Sequence, residues 1–368
     1  MSTTHHTTTQ HATTPATTTT TATTGTPTPQ QLLTQLATGQ CITQCLGVVA
    51  KRNIADHVSS QDGTPVTELA AKTRTNPDAL YRVMRALTTV GVFTELPGKK
   101  FKQTPTSELL KSTTDTSMRG MAVWMSTPEY NAAWSNVDKA VETGSECWST
   151  THGKPLFEYL ETTPAMQTVY QTAMTAVTRT TAQTICSTFD FTPFSTICDI
   201  AGGCGTMLAT ALRTAPKAKG MLLETPTVTS NTQCIDAALG DTKPRVTVVA
   251  GDMFKAETNF PKADVFMMKN VMQNWSDDRC KKILTNCAKN LTKGGKVVVF
   301  EQVMRDEPNT PTPTVWTDVQ MLVATPGGRE RTIDEFKSML TAAGLKFDKV
   351  VTATTATGPI QTIVAELA

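Results

Sequence analysis

The sequence predicts an α/β chain: a mostly parallel sheet covered by helices on both faces, preceded by a small helical domain. Three observations predict it. From residue 195 onward, short apolar runs alternate with helical stretches, the pattern of buried strands joined by crossovers. Before residue 116, the order helix, turn, helix, hairpin reads as a winged helix. The chain has 368 residues, more than one core usually organises, so more than one domain is expected.

The elements follow in order. Residues 2–30 hold 16 Thr and no Val, Ile, Leu, Phe, Trp or Tyr, so residues 1–29 are expected to stay a disordered tail. A winged-helix-like domain is expected over 30–115. In it, Leu32, Leu33, Leu36, Ile42, Leu46 and Val49 recur near helical spacing and predict one helix over 30–55. Thr67 reads as the cap of a second helix. Asn76 reads as the cap of a third, with Pro77 at its first position. Pro97-Gly98 turns a small hairpin. Residues 116–185 read as mostly helical, with turn chemistry at Gly144, Gly153 and Pro155. Strands are expected at 195–201, 219–224, 246–252, 263–270, 295–303, 346–354 and 361–367. Only Gly358-Pro359 separates the last two, too little for a parallel crossover, so they pair antiparallel or diverge.

Composition narrows the function classes. Net charge is +2, from 34 basic and 32 acidic residues, which argues against a dedicated nucleic-acid or anionic-membrane binder. Residues 51–111 hold ten basic and six acidic residues, a modest net +4, and Tyr81, Val83, Met84 and Leu87 look like a packing face rather than a groove reader. No apolar stretch approaches 18 residues, so no membrane span is expected. The start of the chain lacks the apolar core of a signal peptide, and its first basic residue is Lys51. Nine scattered cysteines without CxxC read as reduced, mostly buried thiols of a cytoplasmic protein, with no metal set.

The strongest motif is Asp199-Ile-Ala201-Gly202-Gly203-Cys204-Gly205, which ends the first strand of the α/β unit and opens a helix. Glycines there let a ligand approach the backbone at the carboxyl end of the sheet. A dinucleotide fingerprint fails, because the third glycine position counted from Gly203 is Leu208. An acidic residue before the glycines suits a ligand with a positive charge and no phosphate, as in S-adenosylmethionine. Glu224, ending the next strand, stands where ribose hydroxyls are held. Asp252 follows at the third strand end, placed to accept from an adenine amino group, with Met253 and Phe254 to cover the ring. Each residue alone is an ordinary loop residue; three at successive strand ends point to a ligand.

Residues 30–368 resemble the dimeric S-adenosylmethionine-dependent O-methyltransferases that include the caffeate and acetylserotonin enzymes. Further matching stretches are Gly153-Lys-Pro-Leu-Phe-Glu-Tyr159, Met268-Lys-Asn-Val-Met-Gln-Asn-Trp-Ser-Asp-Asp278 and Gly327-Gly-Arg-Glu-Arg-Thr332 followed by Asp334-Glu-Phe336. The resemblance implies a seven-stranded, Rossmann-like class I methyltransferase sheet over 186–368 and an N-terminal helical, winged-helix-like dimerisation domain. Residues 116–185 become a helical linker and substrate region. It implies a homodimer acting on a small aromatic molecule. Carried across, the cofactor positions are Asp199, Ala201, Gly202, Gly203, Glu224, Asp252, Met253, Phe254 and Lys269. Met174 and Met321 match positions that grip flat rings, and Trp275 packs beside them.

Three departures follow. Ala201 replaces the first glycine of the family's loop, and Glu224 replaces the usual Asp. Gln273 replaces the histidine that serves as general base, while the two acidic residues that flank it remain as Glu301 and Glu330. A phenol has a pKa of about 10 and an amide side chain has no useful basicity. Losing a general base costs roughly 10²–10⁴ in rate. Methylation then requires an acidic hydroxyl or another proton acceptor, and His152 beside Gly153 is the nearest candidate in sequence. Relatives without the base use the scaffold for pericyclic, decarboxylation or hydroxylation chemistry, where Gln273 and Asn270 would orient a substrate carbonyl.

Overall fold

A computed structural model describes residues 1, 27–255 and 259–368. The disorder expected of the Thr-rich tail falls on residues outside this set. The described residues fall into two compact units, the first ending at Gln40 and the second beginning at Cys41.

The first unit carries α1 (Pro29–Ala37). Its start is fixed by a capping box, with Thr28 Oγ1 accepting from the Gln31 N–H and the Gln31 side chain returning to the Thr28 N–H. Leu32, Leu33 and Leu36 are all exposed. The single helix expected over 30–55 is two, because the chain breaks at Thr38 before α2 (Gly39–Lys51). A 3-10 turn then runs over Ile54–His57.

The winged-helix elements follow: β1 (Thr64–Pro65), α3 (Val66–Thr73), α4 (Pro77–Thr88), β2 (Phe93–Leu96), β3 (Lys100–Gln103) and α5 (Pro105–Glu108). The three strands form an antiparallel sheet in the order β1-β3-β2. Thr67 is not the cap of α3: Pro65 holds that position, and its fixed φ starts the helix two residues earlier than expected. Asn76 caps α4 as expected, accepting from the Asp78 and Ala79 N–H groups. Leu80, Met84 and Leu87 are buried with Leu69, Phe93 and Phe101 in a core of their own.

Residues 116–185 hold six helices: α6 (Arg119–Met125), α7 (Pro128–Trp134), α8 (Val137–Thr143), α9 (Cys147–His152), α10 (Leu156–Glu161) and the long α11 (Pro164–Cys186). Trp124, Tyr130 and Trp148 form the centre of their core.

The remaining chain is β4 (Thr196–Ile200), α12 (Thr206–Thr214), β5 (Lys219–Glu224), α13 (Pro226–Thr229), α14 (Thr232–Leu239), β6 (Val246–Ala250), β7 (Ala263–Lys269), α15 (Asp277–Asn290), β8 (Leu291–Glu301), α16 (Pro313–Ala324), α17 (Ile333–Ala342), β9 (Leu345–Thr355) and β10 (Gly358–Leu367). The seven expected strands are present and form one sheet in the order β6-β5-β4-β7-β8-β10-β9. β10 runs antiparallel between β8 and β9, as the short final turn required. Alternate residues face opposite cores. Cys198, Phe266, Met268 and Val299 pack on one side with α15 and α17, while Ile197, Val265, Met267 and Val298 pack on the other with α12. The order reverses at β4, between β5 and β7, so a crevice is expected beyond its carboxyl end.

One expectation fails outright. The cysteines are not all reduced: Cys204 and Cys234 form a disulfide across 30 residues. Spacing along the chain hid it, because the glycine turn after β4 and the start of α14 meet only in the folded sheet. Among the described residues, no helix is long and apolar enough to cross a membrane.

Candidate functional site

The turn between β4 and α12 sets one wall. Ala201, Gly203 and Gly205 all take left-handed backbone conformations. For Ala201 this costs about 1–2 kcal/mol, which its hydrogen bond to the Leu223 carbonyl (2.9 Å) helps to offset. At Gly202 a Cβ would come within 2.3 Å of Asp199 Oδ2, so only glycine lets the turn close over that carboxyl. Asp199 Oδ2 is buried and has no partner among the described residues. Burial, and then the charge of Glu224, pushes the Asp199 carboxyl up to about 8.

Glu224, at the end of β5, accepts from the Gly203 N–H (2.7 Å) and the Thr225 N–H (3.0 Å). Burial raises it to about 7 against those two donors. At the end of β6, Asp252 Oδ1 accepts from the Phe254 N–H (2.8 Å) and Asp252 Oδ2 pairs with Lys255 (3.4 Å). Asn286 Nδ2 holds the Met253 carbonyl. Phe254 meets Trp275 edge-on at 4.9 Å, Phe157 stacks on Trp275 at 5.2 Å, and the Arg279 guanidinium lies over both Phe254 and Trp275. Trp275 therefore stands on the Phe254 side of the site, packed among rings.

Lys269 ends β7. Burial lowers its ammonium to about 8, opposed by the charges of Glu301 and Asp199. Asn270 next to it has positive φ, and its Oδ1 is buried without a partner among the described residues. The chain then makes a 3-10 turn over Met272–Asn274 that presents Gln273. The Gln273 side-chain amide lies between Glu301 and Glu330, and the orientation that satisfies both carboxyls turns its nitrogen to donate to Glu301 Oε2 (3.0 Å) and Glu330 Oε1 (3.3 Å). Glu301 Oε1 in turn accepts from the Val271 and Met272 N–H groups, each at 2.8 Å. Both carboxyls are held above the usual carboxylate range, first by burial. For Glu330 the charge of Glu301 adds to it, whereas backbone donors hold Glu301 down.

Arg331 locks this turn from beneath. Its side chain is fully buried and donates to the Met272 carbonyl (2.9 Å), the Trp275 carbonyl (2.6 Å) and Asp277 Oδ1 (2.8 Å). The Glu330 N–H donates to Asp318 of α16 (2.8 Å). No sequence signal marked these roles, although Arg331 lies in the stretch already singled out. Tyr170 was also missed: it is half-buried on α11, and desolvation followed by the charge of Glu224 raises its phenol.

The sheet edge thus brings together Asp199, the glycine turn, Glu224, Lys269, Gln273, Glu301 and Glu330. His152 joins a different group. Its Nε2 lies 2.9 Å from the Glu129 carbonyl, and its ring packs on Trp148 and Tyr159. Met174 is half-buried against the same helical core, and Met321 is buried in α16 within 3.9 Å of Thr325 Oγ1.

The donor set can be tested against a cofactor. Asp199 Oδ2, buried and unpartnered, lies against Gly202, where a Cβ has no room; Asn270 Oδ1, also buried and unpartnered, follows β7, and Glu224 and Asp252 stand at the ends of the neighbouring strands. Carboxylates in excess over the single buried Lys269 suit a cationic nucleoside rather than a phosphate.

Comparison with known proteins points the same way. A family model described as the O-methyltransferase domain matches residues 134–346, and one described as the O-methyltransferase dimerisation domain matches residues 34–113. The phenazine O-methyltransferase PhzM of Lysobacter antibioticus is 36% identical over 323 residues, 87% of this chain and 92% of that protein. The 3-amino-4-hydroxybenzoate 4-O-methyltransferase of Streptomyces cremeus is 31% identical over 88% of this chain and 87% of its own. Among solved structures, LaPhzM superposes with a TM-score of 0.83 at 35% identity, covering 92% of this chain and 99% of its own. CalO1, a methyltransferase in calicheamicin biosynthesis solved in its SAH-bound form, gives 0.77 at 29% identity, covering 92% of this chain and 97% of its own.

Proposed function

The chain belongs to the S-adenosylmethionine-dependent O-methyltransferase family and takes S-adenosylmethionine as cofactor, and on that premise we propose that it methylates an acidic hydroxyl of a small aromatic molecule as a homodimer. The observation that carries the reading is the Gln273 amide held between Glu301 and Glu330 at the edge of the cofactor sheet. An aromatic acceptor accords with the phenazine and hydroxybenzoate names of the relatives.

Bound S-adenosylmethionine supplies a methyl group on a positively charged sulfur. Asp199 and the turn Ala201–Gly203 would hold its amino-acid end, Glu224 its ribose, and Asp252 with Met253 and Phe254 its adenine. Lys269 sits between Asp199 and Glu301 and balances their charge. Gln273 touches the acceptor and orients its oxygen; Glu301 and Glu330 position Gln273. Met174, Met321, Asn270 and Trp275 line or back the acceptor's place. His152 packs on Trp148 and Tyr159 and meets the Glu129 carbonyl, and no contact joins it to Gln273, Glu301 or Glu330 among the described residues.

Gln273 has no basic nitrogen. The Glu301 and Glu330 carboxyls, both raised by burial, are turned to the Gln273 amide, so that the amide and not a carboxylate meets the acceptor. The acceptor hydroxyl therefore arrives ionised, and positioning supplies the remaining rate. A panel of hydroxylated aromatic acids, quinones and phenazines incubated with S-adenosylmethionine tests this. One methylated product per S-adenosylhomocysteine formed supports it; intact cofactor with every acceptor overturns it. The same amide favours one second reading. A substrate that is rearranged, decarboxylated or hydroxylated while the cofactor stays intact would make Gln273 a carbonyl-orienting group.

A further inference from the structure

The glycine turn carries a bond that cofactor binding alone does not require. Cys204 lies between Gly203 and Gly205, and its sulfur is joined to Cys234 in the first turn of α14. Cys204 is buried and Cys234 is half-buried. On one side of the bond, the Gly203 N–H donates to Glu224 Oε1 at 2.7 Å. On the other, Asn231 Oδ1 accepts from the Cys234 N–H (3.2 Å) and caps α14. Asn231 Nδ2 also donates to Gln171 Oε1 of α11 (2.8 Å). The cross-link thus ties the turn to α14, and Asn231 ties α14 to α11. The other seven cysteines are free, and five of them are buried.

We propose that Cys204 and Cys234 form a redox modification site that sets the affinity of the turn for S-adenosylmethionine. The disulfide form holds the turn ready, and the dithiol form binds the cofactor more weakly. A turn with three left-handed residues and three glycines has much backbone freedom to lose when it closes on a ligand. The cross-link restricts that freedom before the ligand arrives.

The reductant is a small dithiol. One of its thiolates attacks the sulfur of Cys234, the more exposed of the two. The S–S bond breaks and the electron pair leaves on Cys204, as a thiolate just before the first turn of α12, where N–H groups favour negative charge. The second thiolate of the reductant then attacks the mixed disulfide and releases Cys234. The protein gains two electrons and two protons, and the reductant leaves as a cyclic disulfide. A small disulfide reverses the reaction and leaves as two thiols.

The proposal rests on the cofactor assignment above. The test uses the full chain, prepared oxidised with a small disulfide and reduced with a dithiol. Bond state is read by peptide mapping, folding by circular dichroism, and affinity by calorimetric titration with S-adenosylhomocysteine. Reduction is expected to raise Kd about 10-fold. Cys234→Ser is expected to show the weaker value in both preparations; if that variant misfolds, the reduced wild-type chain carries the comparison. Equal Kd values for the mapped oxidised and reduced forms overturn the proposal, as does a chain in which the two thiols never pair. Absence of binding in both folded forms overturns the cofactor assignment and the proposal with it.

Discussion

An amide at position 273 leaves the acceptor's proton without a basic nitrogen to receive it. Restoring the imidazole restores that step. Gln273→His is expected to raise methyl transfer to a weakly acidic phenol by about 10²-fold at neutral pH, read from initial rates, with little change for an acceptor already ionised. An unchanged rate with the phenol would count against the role given to this position. Asp199 gives a pH effect with a definite sign. Its folded carboxyl titrates at about 8, far above the ordinary carboxylate range. The unfolded chain therefore releases this proton first, and stability is lost as pH rises from about 4 towards 8. Denaturant melts of the cofactor-free protein at pH 5 and pH 8 should show this loss, and Asp199→Asn should flatten it. A wild-type protein more stable at pH 8 than at pH 5, with Asp199→Asn behaving alike, would contradict the burial argument. The positions of Asp199, Glu224 and Gln273 were legible because each lies at or just beyond the carboxyl end of a strand. Arg331 and Tyr170 were not, since their roles depend on carbonyls and charges brought from distant segments.

At the scale of elements, the α/β half was read almost strand for strand. Its buried strands are near-continuous apolar runs, and the two-residue turn Ala356-Thr357 forces the antiparallel end, with Gly358-Pro359 already paired in β10 rather than forming the turn. The helical region was read only as helical. Thr127-Pro128 and Thr163-Pro164 begin α7 and α11 with proline at the first position, and these signals mark two of the six helix starts. The disulfide stayed hidden because pairing depends on tertiary proximity and not on spacing. Local capping was the more dependable signal. Asn76 accepts two N–H groups at the start of α4, so Asn76→Ala is expected to cost about 1 kcal/mol in urea unfolding. A change under a few tenths would mean that burial of Leu80, Met84 and Leu87 fixes the helix start alone.

For the whole molecule, the exposed leucines of α1 are the feature a lone chain explains least. Leu33 and Leu36 are 70% and 68% exposed. In a chain that carries the family's dimerisation domain, such a face is expected against a second copy. Leu33→Glu with Leu36→Glu should shift sedimentation from dimer towards monomer without loss of helical signal. A wild-type chain that is already monomeric at working concentration would contradict the dimer. The central claim is cofactor-dependent methylation of a hydroxyl that loses its proton without a histidine. It is tested most directly by wild-type methylation rates at pH 7 across hydroxylated aromatic acceptors of graded acidity. Without a general base, the rate should fall roughly tenfold per unit once the acceptor pKa exceeds the assay pH. A rate that stays level across the series would show that some other group in the site takes the proton.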